Sequence, residues 1–342
     1  MRTSPWIFAA GLMLSAAAPA QDLPAAPPCP AGGAPIHQAG YAKVGGLDQW
    51  VTIDGGDCRK PIILFIHGGP GNSLAPFAHH LYANWEHDFT LVQWDQRGAG
   101  MTFVKTPPGA NDVLTVERMR DDGLEVAQQV SRRLGQAKLI LFASSWGSVL
   151  GLEMAQARPE QFHAYVGSAQ MVDPRDPAAY RAVLKTAAEL GDTAGLATLQ
   201  KIGAPPWSDP RNAGIMRRLS RRYEKARTDP APDAWWRPDP RYARYEEQFE
   251  QADDYSYLQF VGLKGNGMAA GIDFNRKPKE YRLPLYFIQG AEDLVTPLAQ
   301  TRSYVDSIKA PKKEFIVLPR TGHDPNPAMV EAQLRVLKTI AQ

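Results

Sequence analysis

Residues 139–152, with the sequence LILFASSWGSVLGL, constrain the fold of this chain more than any other stretch. An apolar run of strand length ends in a Ser-Trp-Gly turn, and an apolar pattern of helical character begins directly after it. The stretch therefore predicts a buried strand, a sharp turn and a helix. Because strands that alternate with helices build parallel sheets, it favours an α/β architecture.

The turn itself carries a candidate nucleophile. Its five residues, from Ala143 to Gly147, resemble the pattern G-x-S-x-G, in which small flanking residues let the chain bend tightly beneath an exposed serine hydroxyl. Ala143 replaces the first glycine and adds only one methyl group. Ser145 is therefore the candidate nucleophile. The alternative is an ordinary strand-to-helix turn that happens to contain serines, so the rest of the chain has to decide.

Other parts of the chain repeat the alternation of strands and helices. Before the turn, the patterns predict a hairpin that includes residues 42–53 with a turn signal at 54–57, buried strands over 61–67 and 89–95, and an amphipathic helix over 115–134. The two acids of that helix, Asp121 and Asp122, are expected on its solvent face. After the turn, the patterns predict strands over 164–169, 283–290 and 313–318 and helices over 297–308 and 327–341.

Between these strands the pattern changes. Residues 171–282 combine helical stretches with many prolines and aromatic residues, which is typical of an inserted helical segment. The predicted fold class is therefore α/β, with a mostly parallel sheet flanked by helices and an inserted helical cap. The predicted core comprises residues 21–170 and 283–342.

The N-terminus and the overall charge limit where the protein acts. Residues 1–20 contain Arg2, an apolar run and a small-residue ending at Ala20, which together predict a cleaved signal peptide. A membrane anchor is the alternative, but it needs about 20 apolar residues, and this run is shorter. The prediction is a periplasmic or secreted protein without stable membrane insertion after cleavage. The formal net charge of +2 gives no reason to expect a nucleic-acid partner.

The chain has two cysteines, Cys29 and Cys58, and both follow the predicted cleavage site. In an oxidising compartment they are expected to form a disulfide. Two free thiols are the alternative, because spacing alone does not prove a pairing.

An acid and a histidine follow the last two predicted strands. Asp293 comes shortly after the strand over 283–290, and His323 follows the strand over 313–318. A serine nucleophile needs a base and a group that orients the base, in the chain order Ser, Asp or Glu, His. The expected catalytic residues are Ser145, Asp293 and His323, without a metal or organic cofactor. Glu292 is the rival acid, and either Asp293 or His323 alone could be an ordinary loop residue.

The loop after the strand over 61–67 has the sequence HGGPG. Backbone N–H groups in such a loop can stabilise a tetrahedral oxyanion, because glycine lets the backbone approach the substrate. We expect one donor from Gly68 or Gly69 and the other from Trp146, the residue after the candidate nucleophile. A glycine-rich turn that only closes the strand is the alternative.

Taken together, these motifs resemble those of the proline iminopeptidase family of α/β-hydrolases. The resemblance covers the chain from about Ile62 to its end, and it rests on the segments 67–71 (HGGPG), 95–100 (DQRGAG), 145–148 (SWGS), 290–293 (GAED) and 322–323 (GH). It implies an α/β-hydrolase core, a helical cap, the Ser145, His323 and Asp293 triad and release of an N-terminal residue, commonly proline.

The predicted substrate is a small peptide or an ester. Glu246, Glu247 and Glu250 lie among aromatic residues, in an acidic cluster that also contains Asp253 and Asp254. A carboxylate of this cluster could bind a substrate ammonium group, although a solvated helix face is the alternative. A second possible function is a carboxylesterase or amidase with an apolar pocket that contains Trp207, Trp235 and Trp236. A third possible function is a non-catalytic binding protein with the same fold.

Overall fold

The computed structural model describes Leu23 and residues 29–109 and 112–341, so the predicted signal peptide lies outside the described residues. Within that part of the chain, eight strands form one sheet in the order β1-β2-β4-β3-β5-β6-β7-β8. The strands are β1 (Ile36–Val44), β2 (Leu47–Gly55), β3 (Ile62–Ile66), β4 (Thr90–Trp94), β5 (Leu139–Ser144), β6 (Phe162–Ser168), β7 (Leu285–Gly290) and β8 (Lys313–Leu318). Strands β3 to β8 run parallel, whereas β1 and β2 pair in antiparallel fashion.

Helices cover both faces of this sheet. The α-helices in the described ranges are α1 (Ala75–Tyr82), α2 (Gly100–Lys105), α3 (Val116–Leu134), α4 (Trp146–Ala157), α5 (Ala178–Glu189), α6 (Thr193–Ile202), α7 (Pro210–Lys225), α8 (Glu246–Val261), α9 (Leu298–Ser307) and α10 (Pro327–Ala341). Successive residues of β3 point to opposite faces, so Leu64 packs in the cluster that contains α3, α4 and α9, and Phe65 packs in the cluster that contains α1 and α10. The predicted fold class is thereby confirmed.

The N-terminal hairpin differs from the prediction in the position of its turn. Strands β1 and β2 are joined at Gly45 and Gly46, whose φ angles are 55° and 80°, so the turn needs residues that tolerate positive φ. Asp54 and Gly55, which were expected to begin a turn, are the last residues of β2. The turn signal at 54–57 marks the end of the second strand and not the hairpin connection.

Asp122 was expected in solvent, and that prediction is wrong. Its side chain is fully buried at the base of the hairpin. One carboxylate oxygen accepts hydrogen bonds from Gln49 Nε2 at 2.8 Å and Arg97 Nε at 2.9 Å, and the other accepts from Arg118. A buried charge is tolerated when it is paired in this way, so Asp122 joins α3 to the hairpin and to the 95–100 segment.

The two cysteines form a disulfide. Cys29 and Cys58 are bonded, and their Cα atoms lie 5.8 Å apart at a sequence separation of 29. On the chain-entropy model, a loop of this length destabilises the unfolded chain by roughly 3 to 4 kcal/mol. The bridge holds the segment before β1 against the end of β2.

The segment between β6 and β7 contains α5 to α8 and crosses the carboxyl ends of the central strands. It is attached there by hydrogen bonds to core loops, from Asp229 N–H to Arg320 C=O at 2.8 Å and from Ser256 Oγ to Gly98 C=O at 2.9 Å. The segment therefore lies over the end of the sheet where β5 meets α4. Of the helices in the described residues, none is both long enough and apolar enough to span a membrane.

Candidate active site

Ser145 occupies a strained turn at the carboxyl end of β5. Its φ and ψ angles are 54° and −126°, a conformation that residues with a side chain rarely adopt. The Ser145 N–H donates to the Ser168 carbonyl at 3.0 Å, so the neighbouring strand β6 helps to hold the turn. This conformation lifts the hydroxyl above the edge of the sheet, as the sequence pattern predicts.

Close packing explains both the glycines and the alanine of the turn. A Cβ atom on Gly147 would lie 2.1 Å from the Ile66 carbonyl oxygen, so no side chain fits there. Ala143 is fully buried, and its methyl group faces Gly151 of α4, where an added Cβ would lie 2.8 Å away. The missing glycine at position 143 is therefore accommodated by a glycine one helical turn into α4.

The structure brings His323 and Asp293 to Ser145. His323 lies on the loop after β8, and its Nε2 is 2.8 Å from Ser145 Oγ. On the other side of the ring, His323 Nδ1 lies 3.1 Å and 3.2 Å from the two carboxylate oxygens of Asp293, on the loop after β7. The serine hydroxyl, imidazole and carboxylate thus form a continuous hydrogen-bonded chain in the geometry of a serine–histidine–aspartate triad.

Asp293 is nearly fully buried and held by several donors. The backbone N–H groups of Val295 and Thr296 donate to Oδ1 at 2.9 Å and 2.7 Å. Thr296 Oγ1 and Gln289 Nε2 donate to Oδ2 at 2.7 Å and 2.8 Å. Burial acts to raise the pKa of Asp293, but the neighbouring His323 and these donors outweigh burial, so the pKa is lowered and the carboxylate stays charged.

The pKa of His323 shifts in the opposite direction to that of Asp293. Burial acts to lower the pKa of His323, but the charge of Asp293 and its hydrogen bond raise that pKa above the ordinary histidine value. Glu224 adds to the raising effect. His323 is therefore placed to accept a proton from the serine and to hold it as an imidazolium ion.

Glu224 is a buried carboxylate of this site that the sequence did not reveal. It lies near the end of α7, where Oε1 accepts from the Leu294 N–H at 2.6 Å and Oε2 accepts from the His323 N–H at 3.1 Å. Burial raises its pKa, and the charge of Asp293 raises it further. One side chain from the inserted segment thus ties together the two loops that carry Asp293 and His323.

The spacing of the buried residues in α7 could have indicated that Glu224 points into the protein. The buried residues of the helix are Met216, Ser220, Tyr223 and Glu224, which are spaced by four, three and one positions and so share one face. The many arginines of α7 make the whole helix look solvent-exposed in the sequence, so this buried face is hard to recognise. A glutamate at a buried position of the face predicts a polar partner.

The glycine-rich loop lies directly beside the serine. A Cβ atom on Gly68 would lie 3.2 Å from Ser145 Cβ, and Gly69 adopts a φ of 113°. Trp146 is the first residue of α4, so its N–H has no partner within the helix. The structure therefore brings the three predicted oxyanion residues to the same side of the site as the serine.

A buried, neutral histidine anchors that loop. The Gln96 N–H donates to His67 Nε2 at 3.1 Å, so the proton of the ring is on Nδ1, which donates to the Gly68 carbonyl at 2.8 Å. Burial lowers the pKa of His67 to about 4, which keeps the ring uncharged. The first residue of the HGGPG segment thus positions the backbone and does not act as a base for Ser145.

A cavity of about 720 Å³ opens above the serine, between the core loops and the inserted segment. Ser145, His323, Gly68 and Gly69 form its floor. The remaining wall contains both apolar and charged residues. Its large apolar and aromatic residues are Leu74, Phe77, Met171, Tyr180, Trp207, Met216, Trp236, Tyr257, Phe260 and Leu294, and its charged residues are Asp173, Asp176, Arg217, Arg221, Asp253 and Asp324. The volume suits a small molecule or a short peptide.

The predicted cap carboxylates lie outside this wall. Glu246, Glu247 and Glu250 are exposed in the first turns of α8 and are not among the residues that line the cavity. Asp253, at the next turn, does line it. Of the three tryptophans named for the esterase alternative, Trp207 and Trp236 line the cavity, whereas Trp235 packs against the cluster that contains α1 and α10.

Comparison with known proteins finds relatives that span most of this chain. Residues 57–326 match the family model described as Serine aminopeptidase, S33. A probable aminopeptidase of Bacillus subtilis is 28% identical over 302 residues, which cover 83% of this chain and 90% of the relative. A proline iminopeptidase of Neisseria meningitidis is 25% identical over 321 residues, which cover 90% of this chain and 96% of the relative.

Solved structures share the fold. The proline iminopeptidase of Mycobacterium smegmatis superimposes with a TM-score of 0.62 at 20% identity, over 89% of this chain and 98% of the other. A proline iminopeptidase-related protein of Thermus thermophilus gives a TM-score of 0.58 at 22% identity, over 90% and 99% of the two chains. Because the family match spans well over half of its residues, this chain belongs to the Serine aminopeptidase S33 family and is a serine hydrolase of the peptidase type.

Proposed function

We propose that the protein is an exported aminopeptidase that releases proline or another small residue from the N-terminus of short peptides. The observation that carries the proposal is the 2.8 Å contact between His323 Nε2 and Ser145 Oγ, with Asp293 on the opposite ring nitrogen. This chain of groups lies at the floor of a cavity whose wall contains carboxylates. It supports acyl transfer to Ser145 from a substrate that carries a positive charge nearby.

In the first step, His323 Nε2 takes the proton of Ser145 Oγ while the oxygen attacks the carbonyl carbon of the scissile peptide bond. Asp293 orients the ring and stabilises the imidazolium ion that forms. The carbonyl oxygen becomes an oxyanion, which receives hydrogen bonds from the N–H of Trp146 and from the N–H of Gly69 or Gly68.

In the second step, the intermediate collapses and the C–N bond breaks. The imidazolium of His323 gives its proton to the leaving amine, and the N-terminal residue remains as an ester of Ser145. Water then enters, His323 removes one of its protons, and the resulting attack releases the free amino acid and restores the serine. Both half-reactions use the same base and the same oxyanion donors.

The amino group of the substrate is proposed to interact with aspartates of the cavity wall. Asp173 and Asp176 follow β6, and Asp253 reaches the cavity from α8. Burial raises the pKa of Asp253 to about 6, against the lowering effect of Arg217, so the carboxylate is mostly charged at pH 7. A charged carboxylate beside aromatic residues is suited to an ammonium group, and the relatives named as proline iminopeptidases point to the same end of the substrate.

Residues 171–282 are proposed to act as a cap that closes the cavity above the core of residues 21–170 and 283–342. The cap supplies α7 and α8, which form one side of the cavity wall. A cavity of this volume, covered in part by these helices, admits a short peptide more readily than a folded protein. The cap therefore supports a preference for short substrates.

A comparison of three substrates tests the proposed specificity. Prolyl-coumarylamide should be hydrolysed, and its N-acetylated form should show a kcat/KM lower by about 30-fold or more, because acetylation removes the charge that the aspartates would bind. A short-chain nitrophenyl ester serves as the third substrate, and initial rates by fluorescence or absorbance provide the measurement.

The same experiment addresses the esterase alternative, which the indole groups of Trp207 and Trp236 in the cavity wall favour. Equal hydrolysis of the free and acetylated coumarylamides contradicts recognition of the amino group. Hydrolysis of the ester alone shows a carboxylesterase. In either case the serine chemistry stands and the aminopeptidase specificity does not.

Export is tested by the mass of the mature protein. When the full chain is produced in a bacterium with a functional secretion pathway, we expect a periplasmic or extracellular protein that begins near residue 21. Its mass should fall by two further hydrogen atoms relative to the reduced chain, because Cys29 and Cys58 are bonded. Intact mass spectrometry before and after reduction measures both. A mature protein that still begins at Met1 would contradict export.

A further inference from the structure

Two arginines face the same cavity as the candidate nucleophile. Arg217 and Arg221 lie one turn apart on α7, and both line the cavity together with Ser145 and His323. A guanidinium group presents a planar pair of N–H donors that matches a carboxylate, so these side chains are suited to an anionic part of a ligand.

The guanidinium group of Arg217 lacks a fixed partner in the part of the chain that the structure describes. Among the described residues, no carboxylate lies within 4.0 Å of its guanidinium group and no hydrogen bond to it is formed. Other charged groups are near: Asp253 and Asp324 favour its charge, whereas Arg221 opposes it. Arg221 has a loose contact with Asp324, at 3.8 Å. The cavity therefore contains a guanidinium group that is free to bind an anion.

Arg217 is partly exposed to solvent at the wall of the cavity, and the surrounding protein removes part of the hydration of its guanidinium group. Burial lowers the pKa of Arg217, and the charge of Arg221 beside it lowers that pKa further. An arginine in open solvent needs no ion-pair partner, because water hydrates its charge. In a partly desolvated cavity, an incoming carboxylate replaces the hydration that the guanidinium group has lost. Arg218, on the same helix, is exposed like Arg217, but it does not line the cavity.

The charges of the cavity wall are thus of both signs. Four aspartates (Asp173, Asp176, Asp253 and Asp324) and two arginines surround one space of about 720 Å³. A ligand with an ammonium group at one end and a carboxylate at the other matches this wall better than a ligand with one charge. Short peptides with both termini free have that character.

We infer that Arg217, with Arg221 beside it, binds the free C-terminal carboxylate of the substrate, so that the preferred substrates are unblocked peptides of two or three residues. This inference rests on the proposed function, since the peptide must also place its N-terminal carbonyl at Ser145. It adds a requirement at the opposite end of the substrate.

The test compares prolylalanine with prolylalanine amide, which differ only in the terminal charge. For the wild-type protein, kcat/KM for the acid should exceed that for the amide by about 10-fold or more, as expected for a charge-assisted hydrogen bond. In Arg217→Gln this ratio should fall toward one. A ratio of two rates measured on one sample does not depend on how much of the variant is folded.

Arg218→Gln is the matched control, because it removes one positive charge from the same helix away from the cavity, and it should keep the wild-type ratio. Equal rates for the acid and the amide in the wild-type protein would overturn the inference while leaving the aminopeptidase proposal intact. A loss of the ratio in both variants would overturn it too, because a general effect of helix charge would then explain the preference.

Prolyl-coumarylamide separates the two proposals. If the wild-type protein hydrolyses neither this amide nor prolylalanine, the aminopeptidase proposal is wrong. The role of Arg217 is then tested by measuring how tightly the two dipeptides bind. Calorimetric titration of Ser145→Ala with prolylalanine and with its amide should show at least about tenfold tighter binding of the acid. Equal binding, or binding of neither, would overturn it.

Discussion

Replacing Ser145 with alanine should lower kcat by about 10⁶-fold, because removal of a serine nucleophile eliminates the covalent route and leaves only the oxyanion site and substrate binding. The expectation follows from the 2.8 Å contact of its hydroxyl with His323 Nε2 and from its strained position above the end of β5. Hydrolysis of prolyl-coumarylamide and covalent labelling by a fluorophosphonate give two independent measurements. The label should be found on Ser145 by peptide mass spectrometry.

Ser144→Ala is the natural control, because the turn contains two adjacent serines and β5 ends at Ser144. This variant should still react with the fluorophosphonate at Ser145. Circular dichroism and thermal unfolding show whether both variants fold. Full hydrolysis by Ser145→Ala, or labelling of Ser144 in the wild-type protein, would contradict the assignment of the nucleophile.

Asp293→Asn should lower kcat by about 10⁴-fold. Asparagine keeps the size of the side chain but loses the charge, so it can present an N–H group to His323 Nδ1 and favour the wrong tautomer of the ring. It also places that amide among the donors from Val295, Thr296 and Gln289, so we expect a lower melting temperature.

The pH dependence of the residual activity gives a second measurement. Asp293 raises the pKa of His323, so loss of its negative charge should lower that pKa. The acidic limb of the kcat/KM profile reports the base of the free enzyme and should therefore move to lower pH. An unchanged acidic limb would contradict the pairing.

Glu292→Gln provides the control for the acid, since Glu292 is the neighbouring carboxylate. Its side chain lies 3.8 Å from Arg227 and is 33% exposed, so a large effect on His323 is unexpected. The variant should keep most of the activity and the wild-type pH profile. If Glu292→Gln is as inactive as Asp293→Asn, the acid has been assigned to the wrong residue.

The parts of the fold that could be predicted are those in which local pattern and burial agree. Strands such as β3 and β5 are buried along almost their full length, so they appear in the sequence as uninterrupted apolar runs. The loops that follow the strands then place Ser145, Asp293 and His323 on one edge, because the carboxyl ends of parallel strands lie together. Chain order and the positions of these residues after predicted strands made them the candidates, with Glu292 as the rival acid.

The charged residues inside the protein could not be predicted in the same way. Asp122 and Glu224 each lie on a helix rich in charged side chains, where the pattern favours a solvated face. Their partners come from distant parts of the chain, such as Gln49 for Asp122 and Leu294 for Glu224. Only the packing of the helices shows which acid points inward.

The hydrogen bonds from Leu294 and His323 to Glu224 limit how the inserted segment between β6 and β7 could be replaced. A graft that imports foreign helices must deliver a carboxylate to this point, or two backbone N–H groups lose their acceptor and the catalytic loops lose a support. Helix α8 is the more permissive place for redesign: it brings Asp253 and Phe260 to the cavity, and the described residues show no hydrogen bond from it to either loop. New specificity is therefore easier to engineer through α8 than through α7.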